Sequence, residues 1–393
     1  MKQQLRLSAL AIAIASTSTA FAAEQAASFE EAVTGGDASL SFRYRYEFVD
    51  QDGINKDANA STLKTRLNYK TQQYQNATAF IEFDNNTQVL SGDYNDKLNG
   101  KTDYPVVADP KYTEVNQAYL DYAAPADTLV RYGRQRILLD NQRFVGGVGW
   151  RQNEQTYDAF TLVNTSLPDT TVVLTNITNV NNILGKNING ENHQVLNINN
   201  KSLPFGTVSA YAYMLKDISD TYGARFAGKT DLDALSLLYT LEYATQETDN
   251  AASNDADYYV AEFGAGFSGV TAKVGYEVLG SDKGNYGFST PLGTNHKFNG
   301  WADKFLATPA DGLEDLYVSV STKLAGPKIA LIYHTFEANE GGTDYGDEID
   351  LAISQDFADR YNVLLKGAAY SQGDKTTAQT DTTKVWLQLS AKF

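Results

Sequence analysis

The sequence predicts an all-β fold: a transmembrane antiparallel β-barrel of about 18 strands, with short periplasmic turns and long extracellular loops. Three observations carry this. Side chains alternate between apolar and polar with a period of two in segment after segment. The links between these segments alternate between short and long. Beyond the first residues, no run approaches the roughly 18 to 20 apolar residues of a spanning helix.

The opening residues form a separate element. Lys2 and Arg6 precede an apolar run from Leu7 to Ala15, which ends in Ala20-Phe21-Ala22. This reads as a secretory signal peptide over residues 1–22 with a small-residue cleavage site, leaving 23–393 as one outer-membrane barrel domain. The chain of 393 residues has a net charge of −16 and loses two more cations with that leader. It has no cysteine, which excludes a disulfide scaffold, an iron–sulfur protein and a cysteine nucleophile. Such acidity excludes general nucleic-acid binding. The 25 Tyr and 18 Phe against 2 Met favour pleated surfaces over a helical core.

The first strand sets Leu40, Phe42, Tyr44, Tyr46 and Phe48 against Ser41, Arg43, Arg45 and Glu47. Leu63, Thr65, Leu67 and Tyr69 then alternate with Lys64, Arg66, Asn68 and Lys70, and Ala79, Ile81 and Phe83 with Glu82 and Asp84. Leu235 to Tyr243 and Val270 to Val278 repeat the pattern. The last segment sets Val385, Leu387, Leu389, Ala391 and Phe393 against Lys384, Gln388 and Ser390. Short links are expected at 71–76, 123–127, 165–170, 228–232, 268–269, 323–328 and 357–360, and long ones at 85–111, 136–150, 179–192, 247–256, 280–311 and 371–382. Alternation by itself also fits a half-buried soluble sheet. The final aromatic Phe393 and tyrosines near strand ends favour the barrel, with Phe393 as a signal to the barrel-assembly machinery and the outer face in lipid and lipopolysaccharide.

Chemistry is sparse. His193, His296 and His334 show no metal-ligand spacing, and no nucleophile-elbow motif occurs, so no catalytic residue, metal or cofactor is expected. Nine of the ten arginines after the leader fall between Arg43 and Arg225: Arg43, Arg45, Arg66, Arg131, Arg134, Arg136, Arg143, Arg151 and Arg225. Arg43, Arg45 and Arg66 occupy the polar parity and face the lumen, where guanidinium groups select anions. Pairing with Glu47, Glu82, Asp84 and Asp121, which would stiffen the wall, is the competing expectation. Residues 280–311 lack strand pattern but carry Phe288, His296, Phe298, Trp301 and Phe305, so this loop is expected to fold into or over the pore.

The runs Gly133-Arg134-Gln135, Arg143-Phe144-Val145-Gly146, Gly149-Trp150-Arg151-Gln152-Asn153 and Tyr157-Asp158-Ala159 resemble the alginate-export family of outer-membrane proteins. The run His296-Lys297-Phe298-Asn299-Gly300-Trp301-Ala302-Asp303-Lys304-Phe305 is similar to that family's second half. The resemblance implies an eighteen-stranded monomeric barrel passing a polyuronate, with Arg134, Arg136, Arg143 and Arg151 at its constriction and Asp158 as the balancing acid. The expected function is an outer-membrane channel for anionic or uronate-containing saccharides in a Gram-negative bacterium. A general porin for an unrelated solute and, further off, a barrel enzyme stand as alternatives.

Overall fold

The computed structural model describes residues 25–188, 192–249, 253–374 and 379–393. The leader assigned to residues 1–22 lies outside the described residues.

Among these residues the chain forms β1 (Asp37–Gln51), β2 (Ala58–Lys70), β3 (Ala77–Asp93), β4 (Tyr112–Ala124), β5 (Thr128–Gln135), β6 (Thr156–Asn164), β7 (Thr170–Asn181), β8 (Asn187–Ile188), β9 (His193–Asn200) and β10 (Thr207–Leu215). It continues with β11 (Ser219–Leu232), β12 (Leu235–Thr248), β13 (Asp255–Phe267), β14 (Val270–Leu279), β15 (Leu313–Lys323), β16 (Lys328–Glu337), β17 (Asp344–Phe357), β18 (Tyr361–Gln372) and β19 (Thr382–Lys392). The two-residue β8 is only a spur on β7, and the other strands pair antiparallel with their sequence neighbours. β1 pairs with both β2 and β19, so the sheet closes as an eighteen-stranded barrel. Closure follows from the solvent: in hydrocarbon every backbone N–H and C=O needs an internal partner, and only a closed sheet leaves no edge.

The alternation expected from the sequence sets the two faces. Phe83, Leu120, Leu174, Leu241, Val274 and Leu387 are exposed on the outside, whereas Arg45, Glu47, Asp84, Glu242 and Trp386 are buried inside. Several of the expected boundaries shift. Residues 228–232 remain in β11, so the turn shrinks to 233–234, and 85–93 extend β3 instead of opening the loop. At the turn end of the barrel, Ser28 caps the short helix α1 (Phe29–Thr34) by accepting from the Glu31 N–H at 3.1 Å.

Phe393 completes the seam. Its N–H donates to the Leu40 carbonyl at 2.8 Å, and its carbonyl accepts from the Leu40 N–H at 3.0 Å. Its ring meets Phe42 and Tyr361 edge-on at 6.4 and 6.2 Å. Two such aromatic pairs contribute about 1 to 2 kcal/mol together. Phe393→Ser should therefore lower the fraction of protein that migrates as the folded form in unboiled SDS gels. A folded fraction and thermal midpoint equal to wild type would mean that the seam does not depend on this ring.

Candidate functional site

Two long loops turn into the barrel from different parts of the wall. Loop L3 (136–155) follows β5 and loop L7 (280–312) follows β14. Val145 and Leu292 form a parallel bridge between them, and the Gly146 N–H donates to the Leu292 carbonyl at 2.8 Å. Thr294 hydroxyl accepts from the Val148 N–H at 3.1 Å and donates to Gln142 Oε1 at 3.0 Å. Apolar anchors hold both loops inside. Phe144 of L3 packs against Tyr211, Tyr213, Tyr258 and Phe288, while Phe305 of L7 packs against Phe336 with centroids 4.6 Å apart. Gly300, with φ of +81°, lets the L7 backbone touch β17, because a Cβ there would come within 2.4 Å of Glu348 Oε2. The adjacent N–H groups of Trp301 and Ala302 donate to Asp350 and Glu348 at 3.2 and 2.7 Å.

Charged groups complete the junction. Arg66 donates to both oxygens of Asp84 at 2.7 Å and to Glu154 of L3 at 2.5 Å. Arg136 reaches Glu82 at 2.5 Å and also bonds Glu154. Burial pushes the Glu154 carboxyl up, but Arg136, Lys64 and Arg66 outweigh it and hold this group well below the usual carboxylate range. Arg151 bridges Glu47 at 3.1 Å and Asp303 of L7 at 3.0 Å. Arg143 meets Glu277 at 2.9 Å and donates to Asn299 at 2.8 Å. Arg131 grips Asp121 with two bonds at 2.6 and 2.8 Å, and Arg225 meets Glu242 at 2.7 Å. Arg45 lies 4.0 Å over the Trp150 ring and 3.7 Å from Asp109. Arg43 differs: its donors go to Gln152 Oε1 at 2.9 Å, the Gly149 carbonyl at 2.9 Å and the Arg151 carbonyl.

Two expected lumen residues are elsewhere. Arg134 and Asp158 do pair, at 2.8 Å, but they face outward. Arg131, Gly133 and Gln135 point inward on β5, so Arg134 shares the outer face with Tyr132, which is 68% exposed, and Asp158 shares it with Phe160, which is 43% exposed. Residues three apart on a strand cannot point to the same side.

Of the loop residues singled out in the sequence, His296 and Phe305 are buried against the wall, whereas Phe298 and Trp301 border a cavity of about 500 Å³ with Lys297, Tyr258 and Tyr317. Arg43 borders a second cavity, about 550 Å³, lined by Lys64, Arg66 and Arg360 together with Glu154, Asp356 and Asp359. Lys297 is exposed to the first cavity and donates to the Asn141 carbonyl at 2.8 Å. Attention to arginine missed the lysines Lys64, Lys297, Lys366 and Lys384 and their loop partners Glu154 and Asp303. The polar parity of β2 and β19 signals Lys64 and Lys384, but no periodicity marks the loop acids.

This combination of closed barrel, apolar exterior and charged interior defines an outer-membrane β-barrel of a Gram-negative bacterium. Residues 36–171 match the alginate export family model. Solved structures share the fold across nearly their whole length. OccAB4 of Acinetobacter baumannii superposes with a TM-score of 0.72 at 13% identity, covering 91% of this chain and 98% of that one. OpdK of Pseudomonas aeruginosa, solved with vanillate, gives 0.73 at 15% identity, covering 91% and 98%. OccK9 (OpdG) of the same organism gives 0.74 at 13% identity, covering 92% and 100%. A search of curated proteins returned no match.

Arg143 ties L3 to β14 and L7 at a buried position, so its removal leaves the Glu277 carboxylate without its cation, held only by Tyr258 and Asn299. Losing one partner of such a pair costs about 3 to 5 kcal/mol. Arg143→Met should lower the urea midpoint of the detergent-folded barrel accordingly. An unchanged midpoint would mean that the pair adds nothing to the loop's attachment.

Proposed function

We propose that this barrel is a channel for small anionic and polyhydroxylated solutes, most concretely uronate-containing saccharides. The observation that carries the reading is the difference between paired and unpaired cations inside the wall. Most luminal arginines already have carboxylate partners, so their charge is balanced locally and they serve as framework. Among the described residues Arg43 and Lys297 donate to no carboxylate; Arg43 borders the cavity of about 550 Å³, and Lys297, at the L3–L7 junction, borders that of about 500 Å³. A fixed charge in a narrow aqueous passage acts within about a Debye length, roughly 8 Å at physiological salt. The acidic outer loops are screened at that range, so overall acidity does not set ion preference.

The match of residues 36–171 to the alginate export family supports a uronate as solute. Phe298 and Tyr317 beside Lys297 favour a second reading, a channel for small ring-bearing carboxylates, in keeping with the vanillate found with OpdK. In either case Phe393 offers the final strand to the barrel-assembly machinery.

Reversal potentials in a salt gradient test the reading. Wild type should prefer anions, and soluble oligouronate should reduce conductance more than a neutral glucan of similar size. One charge about 4 Å from a passing ion in water is worth about 1 kcal/mol, roughly a fivefold change in occupancy. Arg43→Ser with Lys297→Ser should therefore move selectivity toward cations several-fold and weaken the oligouronate block. Cation preference in wild type would refute the proposal.

A further inference from the structure

Loop L7 is fastened to the wall at one place built unlike the other ion pairs. The ammonium of Lys366, on β18, lies 3.8 Å from the ring centroid of Trp301, 4.1 Å from that of Trp150 and 5.2 Å from that of Trp386. These are all three tryptophans of the chain. They come from L7, L3 and β19. Lys366 Nζ also lies 2.8 Å from Nε2 of His296, which is buried in L7. The other ring nitrogen, Nδ1, is 2.5 Å from Asp303 Oδ1. An ammonium only donates and a carboxylate only accepts, so these partners fix the imidazole as neutral, with its proton on Nδ1 and its lone pair toward Lys366. The ring stacks on Trp150 with centroids 4.7 Å apart and planes 9° apart.

We propose that His296 is a positioning residue that latches L7 across the lumen, and that its protonation releases the loop and widens the channel. The widening rests on the channel reading above, whereas the latch itself does not. A proton on Nε2 would set an imidazolium N–H against the Lys366 ammonium at hydrogen-bond distance, so bond and cage cannot both persist. Charged groups from each element packed against L7 surround the ring. Asp303 of L7 is also bound by Arg151 of L3 at 3.0 Å and by Lys384 of β19 at 2.7 Å. Arg45 and Glu47 of β1 stand behind Trp150 and Arg151, and Glu348 and Asp350 of β17 hold the Ala302 and Trp301 N–H groups.

Burial lowers the His296 imidazole from 6.5 to about 3; Asp303 opposes this shift and Lys366 adds to it. In a released loop the ring would titrate at its ordinary value. The latch is therefore fully in force above pH 6.5 and weakens about tenfold per unit as pH falls from there toward 3.

Two readouts over about pH 7.5 to 4 test this on the full-length barrel, with folding verified by unboiled gel migration. The first is single-channel conductance. The second is tryptophan emission, which reports the latch whether or not the barrel conducts, because every tryptophan belongs to it. Wild type should show an emission shift on acidification and a conductance rise of roughly twofold. His296→Gln keeps an acceptor for Lys366 and a donor for Asp303 without titrating, so it should stay closed with unshifted emission throughout. His296→Ala should be wide at both ends of the range. An acid response that persists in His296→Gln, or a wild type with no emission shift, would overturn the latch and point to the Glu348 and Asp350 contacts. The expected emission changes without conductance in any variant would instead refute the channel reading.

Discussion

Charge balance inside the barrel is the constraint on which the rest of the structure depends. A closed sheet satisfies its own backbone, and lipid accepts the apolar outer face, but the inner face must accommodate two irregular loops carrying many ionisable groups. Isolated buried charges cost several kcal/mol each. The chain meets much of this by pairing loop charges with charges of opposite sign. Glu154 of L3 sits among Lys64, Arg66 and Arg136, Asp303 of L7 sits between Arg151 and Lys384, and Arg143 joins Glu277. The same contacts decide where the loops stop, and so where water-filled space remains.

That assignment separates framework from function. A guanidinium held by two bonds to a carboxylate, as Arg131 is by Asp121, presents little net charge to a passing ion. Arg43 and Lys297 differ, because their donors end on carbonyls and an amide beside the cavities. The proposed anion preference of this acidic protein needs only a few such residues. The outward Arg134–Asp158 pair takes no part, since a wall of strand separates it from the lumen.

Much of the barrel was legible in the sequence, because lipid on one side and water on the other impose a period of two that composition cannot hide. The parity of β1, β2 and β19 and the arginine partners Asp84 and Asp121 could be read from it. Parity also bears on Arg134, which lies three residues from inward-facing Arg131, but the family resemblance pointed the other way. Loops carry no period. Nothing in the spacing of Trp150, Trp301 and Trp386 indicates that they enclose one lysine, and Glu277 gives no local sign that it meets Arg143. The boundaries at 85–93 and 228–232 were misplaced because Gly, Asn and Ser near strand ends look like turn residues even where the ladder continues.

L3 and L7 meet inside the barrel at the Val145–Leu292 bridge. The chain has no cysteine, so one introduced pair can report on this contact without interference. Val145→Cys with Leu292→Cys replaces the bridge partners of the two loops. Mild oxidation of the double variant in intact outer membranes should join them, giving a shifted band on denaturing gels that reductant reverses, while single-channel conductance stays at the reduced value because the loops are already together. A folded barrel in which the pair does not cross-link, or in which cross-linking closes an otherwise wider pore, would contradict the account.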